Sequence, residues 1–177
     1  MTTFMHALSV GAFAPTLRSF SSVLEKSLAH AISTGVDPAT LVEARLAPDM
    51  FPLAMQVSLA CDQAKNGAAR LMDVEAPKID AADESFERFQ ARIDHALAFL
   101  DTAPEAAFEG AAERTIRLPL QAGLTFEASG LRFLRDWALP HFYFHVVTAY
   151  DILRANGAPI GKLDYLAHIA YAIRQDA

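Results

Sequence analysis

Apolar residues recur along this chain at intervals of three and four, with one stretch where the interval drops to two. From Thr2 to Thr34, positions Leu17, Phe20, Leu24, Leu28 and Ala31 fall on one stripe, which predicts a long amphipathic helix bent in its first third by Pro15. "TGVDPAT" supplies a glycine to end that helix and an Asp-Pro pair to open the next turn. Leu53, Val57, Ala60, Ala64, Ala68 and Leu71 keep helical register and predict a second helix over 51–72. A third is expected from Asp83 to Asp101, with Phe86, Phe89, Ile93, Leu97 and Leu100 facing inward. Its other side, Glu84, Glu87, Arg88 and Arg92, reads as plain solvation. Segments 39–48 and 74–85, in a region punctuated by Pro48, Pro52 and Pro77, read as connectors.

The period changes in "RTIRLPLQAGLTFEA", where Ile116, Leu118 and Leu120, then Leu124 and Phe126, alternate around "QAG". Such a pattern predicts a β-hairpin with Pro119 at an edge or bulge, and a two-stranded ribbon of this size needs a helical surface to lean on. Helical spacing resumes at Ser129 through Phe133, Leu134 and Trp137, and Pro140 either kinks that helix or starts a new one. Asn156-Gly157 stops the last long helix, and "KLDYLAHIAYAI" makes a short closing one. The pattern thus describes one all-α domain over 1–177, four long helices with a small hairpin before the last of them and a short C-terminal helix.

Composition narrows the possible partners. The chain has 177 residues, 53% hydrophobic and 20% charged, with a net charge of −6 at pH 7. Lys and Arg are scattered, which argues against nucleic acid, and no apolar run is long enough for a membrane span. The start, "MTTFMHALSV", carries no basic segment and cleavage site of the secretory kind, and the single cysteine, Cys61, has no internal disulfide partner. A reducing, cytoplasmic setting is the expectation. No nucleophile elbow, glycine-rich phosphate loop, CxxC pair or carboxylate dyad is present.

Candidate chemistry concentrates in "LPHFYFHVVTAYDILRANG" (139–157). At about 100° per residue, His141, His145, Thr148 and Ile152 lie on one side of this helix, opposite Tyr143 and Tyr150. A buried imidazole requires a hydrogen-bond partner or a metal, and the spacing of four lets two rings approach one divalent ion. Two histidines at this spacing also arise in ordinary polar seams. The polar groups available on the second helix are Gln56, Ser58 and Asp62. Phe142, Phe144 and Trp137 read most simply as core, or as walls of a small-molecule pocket. Cys61 beside Asp62 reads as a structural thiol, and His6, His30, His95 and His168 as exposed or singly bonded.

"RLAPDMFPLAMQVSLACDQAKNGAARL" (45–71) together with "LPHFYFHVVTAYDILRANGAPIGKLDYL" (139–166) resembles an uncharacterised bacterial domain-of-unknown-function family with DinB-like, YfiT-like architecture. The resemblance implies a four-helix bundle, often dimeric. In the wider superfamily of metalloenzymes three histidines bind a divalent metal, one on the second helix and two in an HxxxH on the fourth. His141 and His145 match the HxxxH. The second helix has no histidine, an asparagine usually stands where this chain has His141, and "VVTAY" replaces the Arg-Gly-Gln common after HxxxH in metal-binding cousins.

Two readings follow. In one, His141, His145, Thr148, Gln56 and Asp62 form a buried polar layer in a non-enzymatic binding or dimerisation module, with no cofactor, a homodimeric partner and room for a small-molecule ligand. In the other, His141 and His145, completed by Asp62 or by a water on Gln56, hold zinc or nickel for a transferase or hydrolase reaction beside Phe142, Phe144 and Trp137.

Overall fold

The computed structural model describes residues 3–79 and 83–174. Four long helices dominate it: α1 (Phe4–Thr34), α3 (Leu53–Met72), α4 (Phe86–Asp101) and α6 (Leu139–Ala155). A single turn, α2 (Pro38–Val42), lies inside the first expected connector. Asp37 caps that turn by accepting from Ala39 N, with proline at the first helical position, where its missing donor costs nothing.

Helix α1 runs through Pro15 without ending. Its buried hydroxyls are satisfied locally, since Ser9, Thr16 and Ser27 each donate to the carbonyl four residues back, at 2.7–2.9 Å. Gly35, at φ 74°, closes the helix with Val36 N bonded to Ala31 O. Helix α4 starts three residues later than its periodicity suggests, because Ser85 is its N-cap and accepts from Arg88 N.

The hairpin pairs β1 (Thr115–Pro119) with β2 (Thr125–Ser129) antiparallel, Leu118 opposite Phe126 and Pro119 opposite Thr125. Ile116 and Leu118 are buried, whereas Leu120 and Leu124 flank the turn in solvent. Pro119 closes the edge strand, as a residue without an amide donor must. The ribbon continues directly into α5 (Gly130–Phe133), a π-helical turn over Leu134–Ala138, and α6. Pro140 therefore neither breaks the helix nor opens a separate one. Its missing donor coincides with the wide turn just before it, where the α ladder is already interrupted. Gly157 ends α6 at φ 90°, and the chain closes with α7 (Lys162–Tyr165) and a 3₁₀ segment, Ala167–Ala172.

One contiguous core joins these elements, built around Phe13, Leu17, Phe20, Phe89, Phe133 and Phe142. Within it α3 and α6 make the most extensive contact. They run antiparallel, Gln56 lying against His145 at one end and Gly67 against Ala138 at the other. Among the described residues no helix is long and apolar enough to cross a membrane.

A glycine shows how tightly one end of the hairpin is held. A Cβ on Gly130 would be built into the carbonyl oxygen of Ala111, whereas one on Gly11, inside α1, would meet nothing. Gly130→Ala should therefore destabilise the protein by about 1–3 kcal/mol in denaturant unfolding. Gly11→Ala should stabilise it by about 0.5–1 kcal/mol.

Candidate functional site

The two histidines of α6 are both half-buried, and they have different partners. His145 Nδ1 lies 2.8 Å from Oε1 of Gln56, a fully buried residue of α3. Gln56 Nε2 donates to the carbonyl of Phe51 at 3.2 Å, so its oxygen is turned toward the imidazole. An amide oxygen only accepts, hence His145 is protonated on Nδ1 and keeps its lone pair on Nε2. His141 has no such neighbour. Its Nδ1 is buried without a hydrogen-bond partner, and its ring meets the edge of Trp137 at 4.4 Å between centroids. Trp137 in turn rests on Phe126 of the hairpin at 4.9 Å, so the ribbon supports one end of the site.

Both imidazoles are held below the ordinary histidine pKa. Desolvation is the larger cause in each, and the charge on His141 adds to it for His145. The pair is therefore neutral at pH 7 and offers lone pairs rather than charge.

The other expected participants are dispersed. Asp62 lies about 240° around α3 from Gln56. Its carboxylate pairs with Lys65 at 3.2 Å on the side toward α4 and is not part of the polar seam. Ser58, about 200° from Gln56, is likewise on another face. Thr148 is buried one turn beyond His145, in line with the seam. Phe142 is a core residue, edge-on to Phe13 at 5.0 Å, and walls no pocket. Phe144 is 55% exposed and packs edge-on against His145. Trp137 lines a cleft of about 220 Å³ with Gln63, Arg70, Leu118 and Phe133. Cys61 is buried, and burial together with Asp62 pushes its thiol up to about 12, so it is inert as a nucleophile.

Two imidazoles fall short of the three protein ligands that a catalytic zinc site uses. The nearest polar group on α3 is an amide whose oxygen is already engaged by one of those rings. Among the described residues no three His, Cys, Asp or Glu side chains gather where they could hold an ion. The donor set of the described residues does not fit a resident divalent metal.

The carbonyl of Phe51, which orients Gln56, had no signature in the chain, because a loop carbonyl is common to every residue. The other surprise lies on α4. Arg88 and Arg92 are not solvated: Arg92 is only 11% exposed, and buried nitrogens of Arg88, Arg92 and His95 lack partners. Arg88, Arg92 and His95 occupy one stripe about 60° wide, a spacing that was readable in advance.

Residues 5–166 match the model of DUF1993, a domain of unknown function. The chain belongs to this family. It is also similar to a DinB family member protein from Shewanella denitrificans, known from its crystal structure, at 37% identity over 97% of this chain and 94% of that one, with a TM-score of 0.85. No curated protein matches. The DUF1993 chain thus has a DinB-like fold, mostly helical with one small hairpin among the described residues.

The depressed histidines set the sign of the pH dependence. Above about 6.5, the unfolded value, folded and unfolded states are equally deprotonated. Below it the unfolded chain takes up protons that the folded site resists, so stability should fall until the folded pKa values are reached. Urea unfolding from pH 8 to pH 5 should show this loss, and His145→Asn should reduce it. Gln56→Leu, which strands the His145 N–H, should cost about 1–3 kcal/mol at pH 8.

Proposed function

We propose that this DUF1993 protein is a non-enzymatic binding and dimerisation module, a DinB-like four-helix bundle whose α3–α6 histidines serve as a polar seam. The observation that carries the reading is the 2.8 Å contact between His145 and Gln56. At the α3 position facing the HxxxH, the chain carries an amide that satisfies the imidazole instead of a third ligand competing for an ion. A buried, directional pair of this kind penalises slippage of α6 along the small-residue face of α3, which suits a register-setting role.

The surroundings favour a second copy as partner. Phe144 is 55% exposed and packs edge-on against His145, and Phe51, 54% exposed, carries the carbonyl that orients Gln56. Exposed large apolar side chains beside the pair mark a contact surface, and such a surface can pair with itself about a twofold axis. A reducing, cytoplasmic setting suits the buried free Cys61.

One observation favours the metal-dependent alternative. The bond to Gln56 leaves His145 with its lone pair on Nε2, the tautomer of many metal-bound histidines whose other nitrogen is held by a carbonyl. Titration of untagged protein with zinc and with nickel separates the readings. Little heat is expected for wild type and no change for His145→Ala, whereas stoichiometric binding abolished by His145→Ala would establish the metal site. Light scattering should give twice the 19.2 kDa chain mass, and Phe144→Glu should return a monomer. A monomeric wild type would remove the dimer from the proposal.

A further inference from the structure

On the opposite flank of α3 from the histidine seam, the segment 74–79 lies over the groove between α3 and α4. Lys65 stands beneath it, only 3% exposed, donating to the carbonyl of Pro77 at 3.1 Å and lying 3.2 Å from Asp62. A cleft of about 360 Å³ opens here, lined by Asp62, Lys65, Asn66, Pro77, Lys78 and Arg92. Its wall holds Lys65, paired with Asp62, Arg92, paired with Glu84 just outside it, and the exposed Lys78, although the whole chain carries −6.

Arg92 in the wall of this cleft is under-satisfied, and so are α4 neighbours outside its lining. Arg92 uses Nη2 on Glu84 Oε1 at 2.5 Å, but its Nε is buried without a partner. One turn earlier on the same stripe, Arg88 has both Nε and Nη2 buried and unpartnered. His95, which feels the charges of Lys65, Asp62 and Arg88, has Nδ1 in the same state, as is Glu84 Oε2. Buried guanidinium donors left unpaired are expensive, and in folded proteins such groups are normally met by water or by an ion. A carboxylate has too few oxygens to engage donors arriving from α3, α4 and the overlying segment together. A tetrahedral dianion with three free oxygens has enough, and guanidinium and ammonium groups bind it through short charge-assisted bonds.

We infer that the cleft between α3, α4 and residues 74–79 is a binding site for a phosphate group, free or carried by a small phosphate monoester, with Lys65, Lys78 and Arg92 as its principal contacts. Asp62 opposes the bound charge and lowers the affinity. This site is separate from the histidine seam and stands whether or not that seam binds metal.

The test uses the full untagged chain, with thermal unfolding and calorimetry in inorganic phosphate, in glycerol phosphate and in acetate, each against chloride at matched ionic strength. Phosphate should raise the unfolding midpoint above the chloride value, and acetate should not. Stronger protection by glycerol phosphate than by phosphate would identify a monoester as the ligand, and the reverse would identify free phosphate. Arg92→Gln should weaken phosphate binding by about tenfold or more, from the loss of a charge-assisted bond. Lys78→Glu, on an exposed side chain whose change leaves the core intact, should abolish it, and Asp62→Asn should tighten it. The inference is overturned if phosphate and chloride protect wild type equally, if acetate matches phosphate, or if folded Lys78→Glu binds phosphate as wild type does.

Discussion

The close approach of α3 to α6 is the constraint on which the rest of this structure depends. Ala60, Ala64, Gly67 and Ala68 are all buried on α3 and carry little bulk, so a neighbouring helix can come near. A Cβ on Gly67 would stand 3.1 Å from the ring of Phe13 and 3.4 Å from the Cβ of Ala138, which shows how little space remains. Interiors packed to this density tolerate few added atoms. At that separation Gln56 and His145 meet directly, and the same packing removes water from them. The histidines are neutral because the helices are close, and the amide of Gln56 is needed because the histidines are buried.

The two flanks of α3 handle buried polarity in different ways. Toward α6, the Gln56 amide is engaged at both ends within the chain, by His145 Nδ1 and by the carbonyl of Phe51, while His141 Nδ1 is buried without a partner. Toward α4, a lysine is almost wholly enclosed and two arginines keep unmatched nitrogens. The bonded Gln56–His145 pair suits a structural role, whereas donors in excess call for something from outside. The outward Phe144 belongs with the first flank, and the segment over Lys65 belongs with the second.

Much of the architecture was legible in local pattern. The three-and-four spacing located α1, α3, α4 and α6, and alternation around "QAG" located the hairpin with Ile116 and Leu118 on its buried side. Pro140 was ambiguous because a proline in the first turn of one helix and a proline after a π turn in a continuous helix look the same in sequence. The pairing of Gln56 with His145 was partly readable, since the helical wheel placed His141 and His145 together and named Gln56 among the α3 groups. It could not separate Gln56 from Ser58 and Asp62, because the rotation of α3 toward α6 is set by which side chains pack best between the helices.

The chain by itself determined where helices and turns form and which stripe of each is apolar, since these follow from residue spacing, capping and backbone freedom within a few neighbouring residues. Only the tertiary structure decided which polar residues lose their water. Arg92 carries the composition of a solvated face, yet it lines the cleft that Ala76, Pro77, Lys78 and Ile79 help to enclose, and Asp62 is drawn to Lys65 rather than to the histidines. Burial depends on what another segment places above a side chain, and that information is distributed over the whole fold.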